Sequence, residues 1–330
     1  MAGRNINPFS RSNPDTGLGT QPTNIGGRFV NKDGSFNLKK QGLPFIKRVS
    51  FYSYLLELSW FKFLGIILLF YLFINLLFTI AYLLVGVDQL QGFHSHTSWG
   101  RAREVFYFST QTFTTVGYGR LNPRADGADI IASLQTMSGW LFFAIVTGLL
   151  YGRFTRPKAY IAFSEKALVS PYQNASALMF RMVPYKNIHH LTDVKATVNI
   201  SFLVVENGKE EYKFFQLTLE RSRIDMFNMN WTVVHPITAD SPLLNFTHED
   251  LHASDLELLV QVSGFDPIFS NIVMARTSYT YKEIIWGARF KPMYHESEDG
   301  STTVLELDKL NAYDEVSINI SAAELKSATS

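Results

Sequence analysis

One long uncharged stretch constrains the fold more than any other feature of this sequence. From Phe63 to Val87 no residue is charged, and Asn75 is the main polar interruption. A helix crosses a bilayer with about 20 predominantly apolar residues, so this stretch is long enough. A buried helix of a soluble protein rarely stays uncharged for such a length. The stretch therefore predicts a membrane-spanning helix.

A second uncharged stretch, Ile130 to Gly152, is less apolar. It carries, among other polar or small residues, Gln135, Thr136, Ser138, Gly139, Thr147 and Gly148. Polar groups within a span usually face protein or water rather than lipid. We therefore expect the first span to face lipid and the second to line a wet path. Basic residues flank both spans, and their balance predicts that both termini are cytoplasmic, although the connecting loop also carries arginines.

Composition excludes several classes of function. The formal net charge of +1 gives no overall field that would favour nucleic acid. The absence of cysteine excludes a disulfide framework, a thiolate metal site and a cysteine nucleophile. No phosphate-binding glycine loop, HExxH motif or obvious catalytic triad is present. Neither an enzymatic activity nor a bound cofactor is therefore predicted.

Between the two spans lies Thr115-Val116-Gly117-Tyr118-Gly119, hereafter the filter segment. It follows an apolar-periodic stretch that is too short to cross a bilayer. Irregular backbone at membrane depth is tolerated only where it is buried in protein or lines water. Four copies of such a strand, with the carbonyls inward, replace the hydration shell of K+. The glycines permit the backbone angles needed, Thr115 adds a hydroxyl at the inner end, and Val116 and Tyr118 are expected to pack behind. The sequence thus predicts a K+ site made of filter-segment carbonyls.

The second span also predicts an inner pathway. Gly139, Phe143, Thr147 and Tyr151 are spaced by four residues and so lie near one helix face. Gly139 permits bending, whereas rings of Phe143 and Tyr151 form apolar constrictions that gate by dewetting. Ordinary helix packing is the alternative for this face, with Tyr151 at the membrane interface.

The segments on either side of the pore region have different characters. Residues 1–44 are mostly polar and rich in Asn, Gly, Ser and Pro, which predicts a flexible, solvated tail. Residues 45–61 place apolar residues at helical spacing among charges, which predicts a helix lying in the interface; an extension of the first span is the alternative.

The C-terminal half changes to short alternating runs. Residues 193–205 alternate apolar and polar side chains as a half-buried strand does, and Asn207-Gly208 and Asp299-Gly300 mark hairpin turns. Further strand-like runs cover residues 256–262, 272–281 and 285–290. Many short strands with turn signals predict a β-sandwich.

Several motifs together resemble one family. "TTVGYG", "YGRFTRPKA", "WTVVHPITADSPL" and "ARTSYTYKEIIWGARF" resemble the pore, the end of the inner helix and two cytoplasmic signatures of prokaryotic inward-rectifier-type potassium channels (the KirBac group). The resemblance covers roughly residues 45 to 310. It implies a homotetramer, an immunoglobulin-like cytoplasmic β-sandwich, an interfacial slide helix and control by anionic phospholipids, including phosphoinositide.

The resemblance also implies roles for particular charged residues. The positions matching the family's lipid-headgroup residues are Lys62, Arg153, Arg156 and Lys158, and such basic clusters attract anionic lipid. Plain positive-inside anchoring is the alternative. Asp193 matches an acidic residue that attracts cations near the cytoplasmic axis, or else it is an exposed strand charge.

The sequence departs from the animal members at the pore. Phe143 stands where strongly rectifying members carry an acidic residue, which argues against strong polyamine block at that site. Gln111 stands where they carry a glutamate behind the filter, and Arg120 is out of register with its usual partner. These departures and the absence of cysteine indicate a bacterial protein.

The sequence therefore predicts a two-span α-helical pore module followed by an all-β cytoplasmic domain. The predicted segments are the tail 1–44, the slide helix 45–61, the pore module 62–156 and the sandwich 157–330. Within the pore module we predict the outer helix at 62–87, the pore helix at 102–113, the filter at 115–119 and the inner helix at 127–155. The predicted function is passive, lipid-regulated K+ conduction across a bacterial inner membrane, gated at the inner helices, with Ba2+ or polyamines as blockers. Two alternatives are a membrane sensor with a non-conducting pore and a weakly selective cation pore.

Overall fold

A computed structural model describes residues 7, 10, 12–13, 27–42, 44, 50–188, 190–206 and 209–318. The chain divides into two compact units. Gln41–Arg156 forms the first, hereafter the membrane unit. Met1–Lys40 and Pro157–Ser330 form the second, hereafter the β unit.

The described part of the membrane unit is mainly helical. Its α-helices are α1 (Phe51–Glu57), α2 (Trp60–Val85), α3 (Ser98–Phe113) and α4 (Asp126–Phe154). A 3-10 turn at Val87–Gln89 follows α2, and the short strands β1 (Leu90–Gln91) and β2 (Asn122–Pro123) pair antiparallel. By length and composition, α2 and α4 could each cross a membrane.

Local capping sets the ends of these helices and explains two differences from the predicted bounds. The outer helix α2 ends at Val85 because Gly86 has a φ of 119°, a conformation that a helix cannot continue. The pore helix α3 begins at Ser98, four residues before the predicted start. There the Thr97 hydroxyl accepts a hydrogen bond from the Gly100 N–H at 3.1 Å, which is a good N-cap.

The slide helix is shorter than predicted. Within the predicted range 45–61 the structure has α1, and α2 begins only at Trp60. Leu58 and Ser59 separate the two helices because both have extended ψ angles of about 150°. Residues 45–49 lie outside the described part of the chain.

A small core joins α2, α3 and α4 on the side of the β1–β2 pair. Its buried apolar members are Tyr82, Leu90, Val105, Phe108, Leu121 and Ala128. Tyr82 comes from α2, Val105 and Phe108 from α3, and Ala128 from α4, so this core packs α3 against both long helices.

The β unit contains two five-stranded sheets. The first has the order β11-β10-β6-β7, with β8 also paired to β6; the second has the order β12-β4-β5-β3, with β9 also paired to β5. The first sheet comprises β6 (Leu191–Glu206), β7 (Lys209–Gln216), β8 (Arg223–Phe227), β10 (Glu257–Asp266) and β11 (Asn271–Thr280). The second comprises β3 (Ile161–Phe163), β4 (Ala167–Tyr172), β5 (Ala175–Pro184), β9 (Trp231–Pro236) and β12 (Ile284–Trp286).

The two sheets share one apolar core, which includes Phe180 and Met182 from β5 and Ile200 and Leu258 from β6 and β10. This arrangement is a β-sandwich, as predicted. Two small sheets and short helices complete the described β unit. They are β13 (Ala288–Phe290) with β16 (Tyr313–Glu315), β14 (Tyr294–Glu296) with β15 (Thr303–Leu305), α5 (His248–Ala253), and 3-10 helices Tyr281–Glu283 and Leu307–Asn311.

One predicted turn in the β unit is confirmed, and one predicted strand differs from the structure. β14 and β15 form a hairpin around Asp299-Gly300, where Gly300 has a φ of 68°. The run predicted as one strand over 285–290 is instead two strands, because Gly287 has a φ of 75°. β12 pairs in parallel with β4, whereas β13 pairs with β16. Asn207-Gly208 lies outside the described residues, although β6 and β7 pair antiparallel on either side of it.

The prediction of a solvated N-terminal tail is wrong for the residues around Phe29. Phe29 and Val30 are each only 5% exposed and join a cluster with Tyr212, Phe214 and Leu259. The Glu257 carboxylate accepts hydrogen bonds from their backbone N–H groups at 2.7 and 3.2 Å. Two apolar side chains and a buried carboxylate thus fix a segment whose overall composition is polar.

Candidate ion-conduction site

The backbone of the filter segment is tied to the last turn of α3. The Thr115 N–H donates to the Thr112 carbonyl at 3.1 Å, and the Val116 and Gly117 N–H groups donate to the Gln111 carbonyl at 2.9 and 3.4 Å. Because these bonds join consecutive residues to one helical turn, the direction of α3 sets where the filter segment begins.

Backbone angles alternate along the filter segment. Thr115, Gly117 and Gly119 have φ values of 61°, 51° and 79°, whereas Val116 and Tyr118 lie outside the positive-φ region. Such alternation is the backbone pattern that allows successive N–H groups to share one side of a strand and the carbonyls the other, and the Val116 and Gly117 N–H groups do share one acceptor, the Gln111 carbonyl. A row of carbonyls on one side is the arrangement that can replace the water around a cation.

The two glycines are required by conformation rather than by space. A Cβ at Gly117 or Gly119 would meet no atom within 4 Å in the single chain, but both residues have positive φ. Thr115 adopts the same region with a side chain, which costs energy and is typical of functional sites. The side chains of Val116 and Tyr118 are exposed in the single chain, so their predicted packing behind the filter requires neighbouring subunits.

An ion pair holds the outer end of the filter segment. The Arg120 guanidinium lies 3.7 Å from the Glu104 carboxylate of α3. Glu104 also accepts hydrogen bonds from the backbone N–H groups of His94 and Ser95 at 3.1 and 3.0 Å. Arg120 therefore pairs with Glu104 rather than with Gln111. Nothing in the local sequence pattern marks Glu104, so the sequence did not predict this role.

Behind the filter segment, four polar side chains from three helices are buried together. Asn75 and Tyr82 belong to α2, Ser109 to α3 and Gln135 to α4, and each is at most 1% exposed. The polar interruption of the first span thus faces protein rather than lipid. Gln135, a polar position of the second span, also faces protein.

The predicted inner-pathway face divides into two parts. A Cβ on Gly139 would lie 2.0 Å from the Phe113 carbonyl oxygen, so Gly139 packs against the end of α3. This corrects the placement of Gly139 on the pathway: the helix spacing is right, but the neighbouring helix occupies that position. Phe143, Thr147 and Tyr151 are exposed in the single chain, as a face turned to a pathway or to another subunit would be.

The basic residue Arg153 has a different environment from the one predicted. Its guanidinium donates to the carbonyls of Leu55, Leu56 and Leu58 at 2.8, 3.3 and 2.7 Å. It also stacks over the rings of Trp60 and Phe63 at 4.6 and 4.5 Å. Arg153 therefore caps the C-terminal end of α1, and these contacts occupy donors that a lipid phosphate would need.

The other predicted headgroup residues are more accessible. Lys62 and Lys158 are exposed, and Lys158 belongs to the β unit. Arg156 is also exposed and lies 3.7 Å from Glu57, a pair that water screens strongly. These three remain candidates for contact with anionic lipid.

Asp193 is paired in the β unit. Its carboxylate lies 2.6 Å from the Arg223 guanidinium, and both side chains are more than half exposed. Asp193 also has a φ of 50°, which is uncommon for a residue with a side chain. The nearby cation reduces the negative potential that Asp193 would offer to a permeating ion.

Comparisons with known proteins agree with this architecture. The family model "Inward rectifier potassium channel C-terminal domain" matches residues 161–330, and the model "Ion channel" matches residues 66–156. The inward rectifier potassium channel Kirbac3.1 of Paramagnetospirillum magnetotacticum is 35% identical over 290 residues, which are 86% of this chain and 95% of that protein.

Animal proteins are more distant. ATP-sensitive inward rectifier potassium channel 12 of Gallus gallus is 28% identical, over 59% of this chain and 47% of that protein. G protein-activated inward rectifier potassium channel 2 of Mus musculus is 25% identical, over 90% of this chain and 74% of that protein. Among solved structures, the Spo0M sporulation control protein of Bacillus subtilis covers 41% of this chain and 58% of its own, at 11% identity and a TM-score of 0.23, which is too low to support an argument.

The fold and these comparisons place the protein among membrane ion channels with two spans and a cytoplasmic β-sandwich. The chain belongs to the inward rectifier potassium channel family. The predicted fold class and the resemblance to the prokaryotic group are confirmed, and the relatives are ion channels, not enzymes. A tetramer is the assembly expected of the family.

Proposed function

We propose that this chain forms a homotetrameric, potassium-selective pore in which the filter segment, Thr115 to Gly119, conducts K+ passively. The observation that carries the proposal is the alternation of φ along the segment, which is the backbone pattern that allows its carbonyls to line one side. Four such strands around an axis would coordinate a dehydrated K+. Membership of the family supports K+ as the permeant ion.

The inner pathway is proposed to gate at α4. Phe143, Thr147 and Tyr151 are exposed in the single chain, and four apolar aromatic rings at Phe143 and Tyr151 would close a narrow path by excluding water. Gly139 is left out, because its packing on α3 takes it off the pathway. Phe143 provides no carboxylate for polyamines, so we expect polyamine block to be weak at this position.

Regulation by anionic lipid is proposed to act through Lys62, Arg156 and Lys158. Their exposure supports this assignment, because a phosphate must reach the charged nitrogen. The contacts of Arg153 with α1 argue for a different role for that residue. We further propose that the chain resides in a bacterial inner membrane with both termini in the cytoplasm, since the balance of basic residues near the span ends favours that orientation.

The function is tested with the full chain reconstituted into liposomes of defined lipid. We expect K+ and Rb+ to pass much faster than Na+, Ba2+ to block, and phosphoinositide to change the flux. Equal Na+ flux would favour a weakly selective cation pore. No flux in any lipid would favour a membrane sensor with a non-conducting pore.

A variant addresses the filter segment itself. Gly117→Ala has room for its methyl group in the single chain but must adopt a positive φ, which L-residues resist. We expect it to assemble as a tetramer and to lose K+ flux. Ser133→Ala, an exposed hydroxyl deletion on α4, is the control and should conduct normally. Normal selective flux in Gly117→Ala would contradict the assignment.

A further inference from the structure

The strongest unassigned feature of the membrane unit is the buried group formed by Asn75, Tyr82, Ser109 and Gln135, hereafter the interhelical network. The Tyr82 hydroxyl donates to Gln135 Oε1 at 2.9 Å. Gln135 Nε2 donates to the Ser109 hydroxyl and carbonyl oxygens at 2.6 and 2.9 Å. The Ser109 hydroxyl lies within hydrogen-bond distance of Asn75 Oδ1 and of the Asn75 carbonyl oxygen, at 3.1 and 3.0 Å.

Burial makes each of these hydrogen bonds costly to lose. The four side chains are at most 1% exposed, so water does not replace a bond that is lost. The network is neutral, which avoids the cost of a charge at this depth. The Asn75 amide also donates to the Tyr71 carbonyl at 2.8 Å. The polar groups of the network are thus paired with one another or with the backbone. Fully satisfied buried networks make a single arrangement rigid.

The network acts on the helix that carries the filter segment. Ser109 lies one turn before the end of α3, and Gln111, two residues further on, holds the N–H groups of Val116 and Gly117. On α4, Gln135 contacts Ser109, and Gly139, one turn later, packs against the Phe113 carbonyl. Two successive turns of α4 thus meet the last turns of α3, directly before the filter segment.

We propose that the interhelical network fixes the position of α3 and thereby sets the ion selectivity of the filter segment, with Gln135 as its central positioning residue. Gln135 touches no ion. It acts because the amide joins α2 through Tyr82 and α3 through Ser109. When this link is lost, α3 is free to tilt, and the carbonyl cage loses the size that separates K+ from Na+. This inference rests on the proposed filter function of Thr115 to Gly119.

The test measures the ratio of K+ to Na+ flux and the Ba2+ concentration for half block, in liposomes containing the full chain. Gln135→Met keeps the length of the side chain and removes its hydrogen bonds. The variant loses the bonds of Gln135 with Tyr82 and with the two oxygens of Ser109. We expect the flux ratio to fall by about tenfold, which corresponds to about 1.4 kcal/mol, and the Ba2+ concentration for half block to rise. Tyr82→Phe removes one bond, and we expect a several-fold fall.

A double variant and a matched control separate this role from general destabilisation. Tyr82→Phe should add nothing to Gln135→Met, because both remove the same bond. Ser133→Ala deletes a hydroxyl that donates to the Asp129 carbonyl within α4 and should leave the ratio unchanged. If Gln135→Met fails to form tetramers, Tyr82→Phe, which retains the Gln135–Ser109 bonds, decides the question.

The outcomes are distinct. If the unmodified chain discriminates against Na+ and the tetrameric variants do so equally well, even with reduced flux, the network is structural only and the inference is overturned. If the unmodified chain itself passes Na+ as fast as K+, the proposed function fails first. A lowered ratio in Gln135→Met and Tyr82→Phe, together with an unchanged ratio in Ser133→Ala, supports the inference.

Discussion

Arg153 in the membrane unit and Arg181 in the β unit hold their guanidinium groups in different ways. Arg153 is half-buried, and its Nη1 and Nη2 donate to the carbonyls that end α1, although its Nε finds no partner among the described residues. Arg181 is only 5% exposed, yet its Nε and Nη1 find no hydrogen-bond partner among the described residues, and its guanidinium stacks over the Phe290 ring at 4.5 Å. Burial lowers the pKa of Arg181 to about 10, so the group is still charged at neutral pH.

The contribution of an arginine to stability depends on whether its guanidinium has hydrogen-bond acceptors. Removing a charged donor leaves the carbonyls that accept from it without a partner, and each then carries its full desolvation cost. Removing an unsatisfied charge relieves a cost that already exists. Substitutions at the two arginines should therefore change stability in opposite directions, although the residue type is the same.

The largest effect is expected at Arg153. Arg153→Gln leaves the carbonyls at the end of α1 without their charged donor, and we expect a loss of about 3 kcal/mol of stability. Arg153→Lys keeps the charge but not the planar fork, so it should recover only part of this loss. Thermal unfolding of the full-length tetramer in detergent measures both variants.

Arg156→Gln is the matched control for Arg153→Gln. It removes an exposed pair with Glu57 and should change stability by at most about 0.5 kcal/mol. Equal losses in the two variants would contradict this prediction, since stability would then depend on charge rather than on hydrogen bonding. Retained lipid sensitivity in folded Arg153→Lys would further support the assignment of Lys62, Arg156 and Lys158 to the lipid.

An intermediate effect is expected at Glu257, a buried carboxylate that has partners. It accepts the N–H groups of Phe29 and Val30. Glu257→Gln weakens this docking, and we expect a loss of about 1–2 kcal/mol. Hydrogen exchange of the full chain should show faster exchange at Phe29 and Val30 and unchanged exchange in β5. Unchanged exchange at Phe29 and Val30 would mean that apolar contacts alone hold the segment.

The same carboxylate predicts a pH dependence. Burial raises the pKa of Glu257 above its ordinary value, although the bonds from Phe29 and Val30 oppose this shift. A raised pKa in the folded state means that folding favours the protonated form. The contribution of Glu257 to stability is then complete below the ordinary pKa and is lost as the pH rises through the raised one. Glu257→Gln should remove this part of the pH profile, measured as the difference between the two unfolding curves.

The sequence predicted those features that depend on local pattern. The spans of α2 and α4 follow from uncharged length, and the filter segment follows from residues placed next to one another. Partners distant in the chain left no such signal: Arg153 meets Leu55 and Leu58, and Glu257 meets Phe29. Gly139 shows the limit most clearly. Helical spacing correctly placed it near Phe143, but could not tell that the end of α3 occupies the space beside it.

The smallest effect is expected at Arg181, and its sign is informative. Arg181→Met replaces an incompletely paired cation with an apolar chain of similar length over the Phe290 ring. Because no described partner is left unsatisfied, we expect a gain of about 1 kcal/mol. Arg181→Ala removes the charge as well, but it also removes the packing of the aliphatic stem and should be less stable than Arg181→Met. Thermal unfolding, with hydrogen exchange around Phe290, measures the two variants. A loss of stability in Arg181→Met comparable to that in Arg153→Gln would mean that the guanidinium has a strong partner in the assembled channel, and the contrast between the two arginines would disappear.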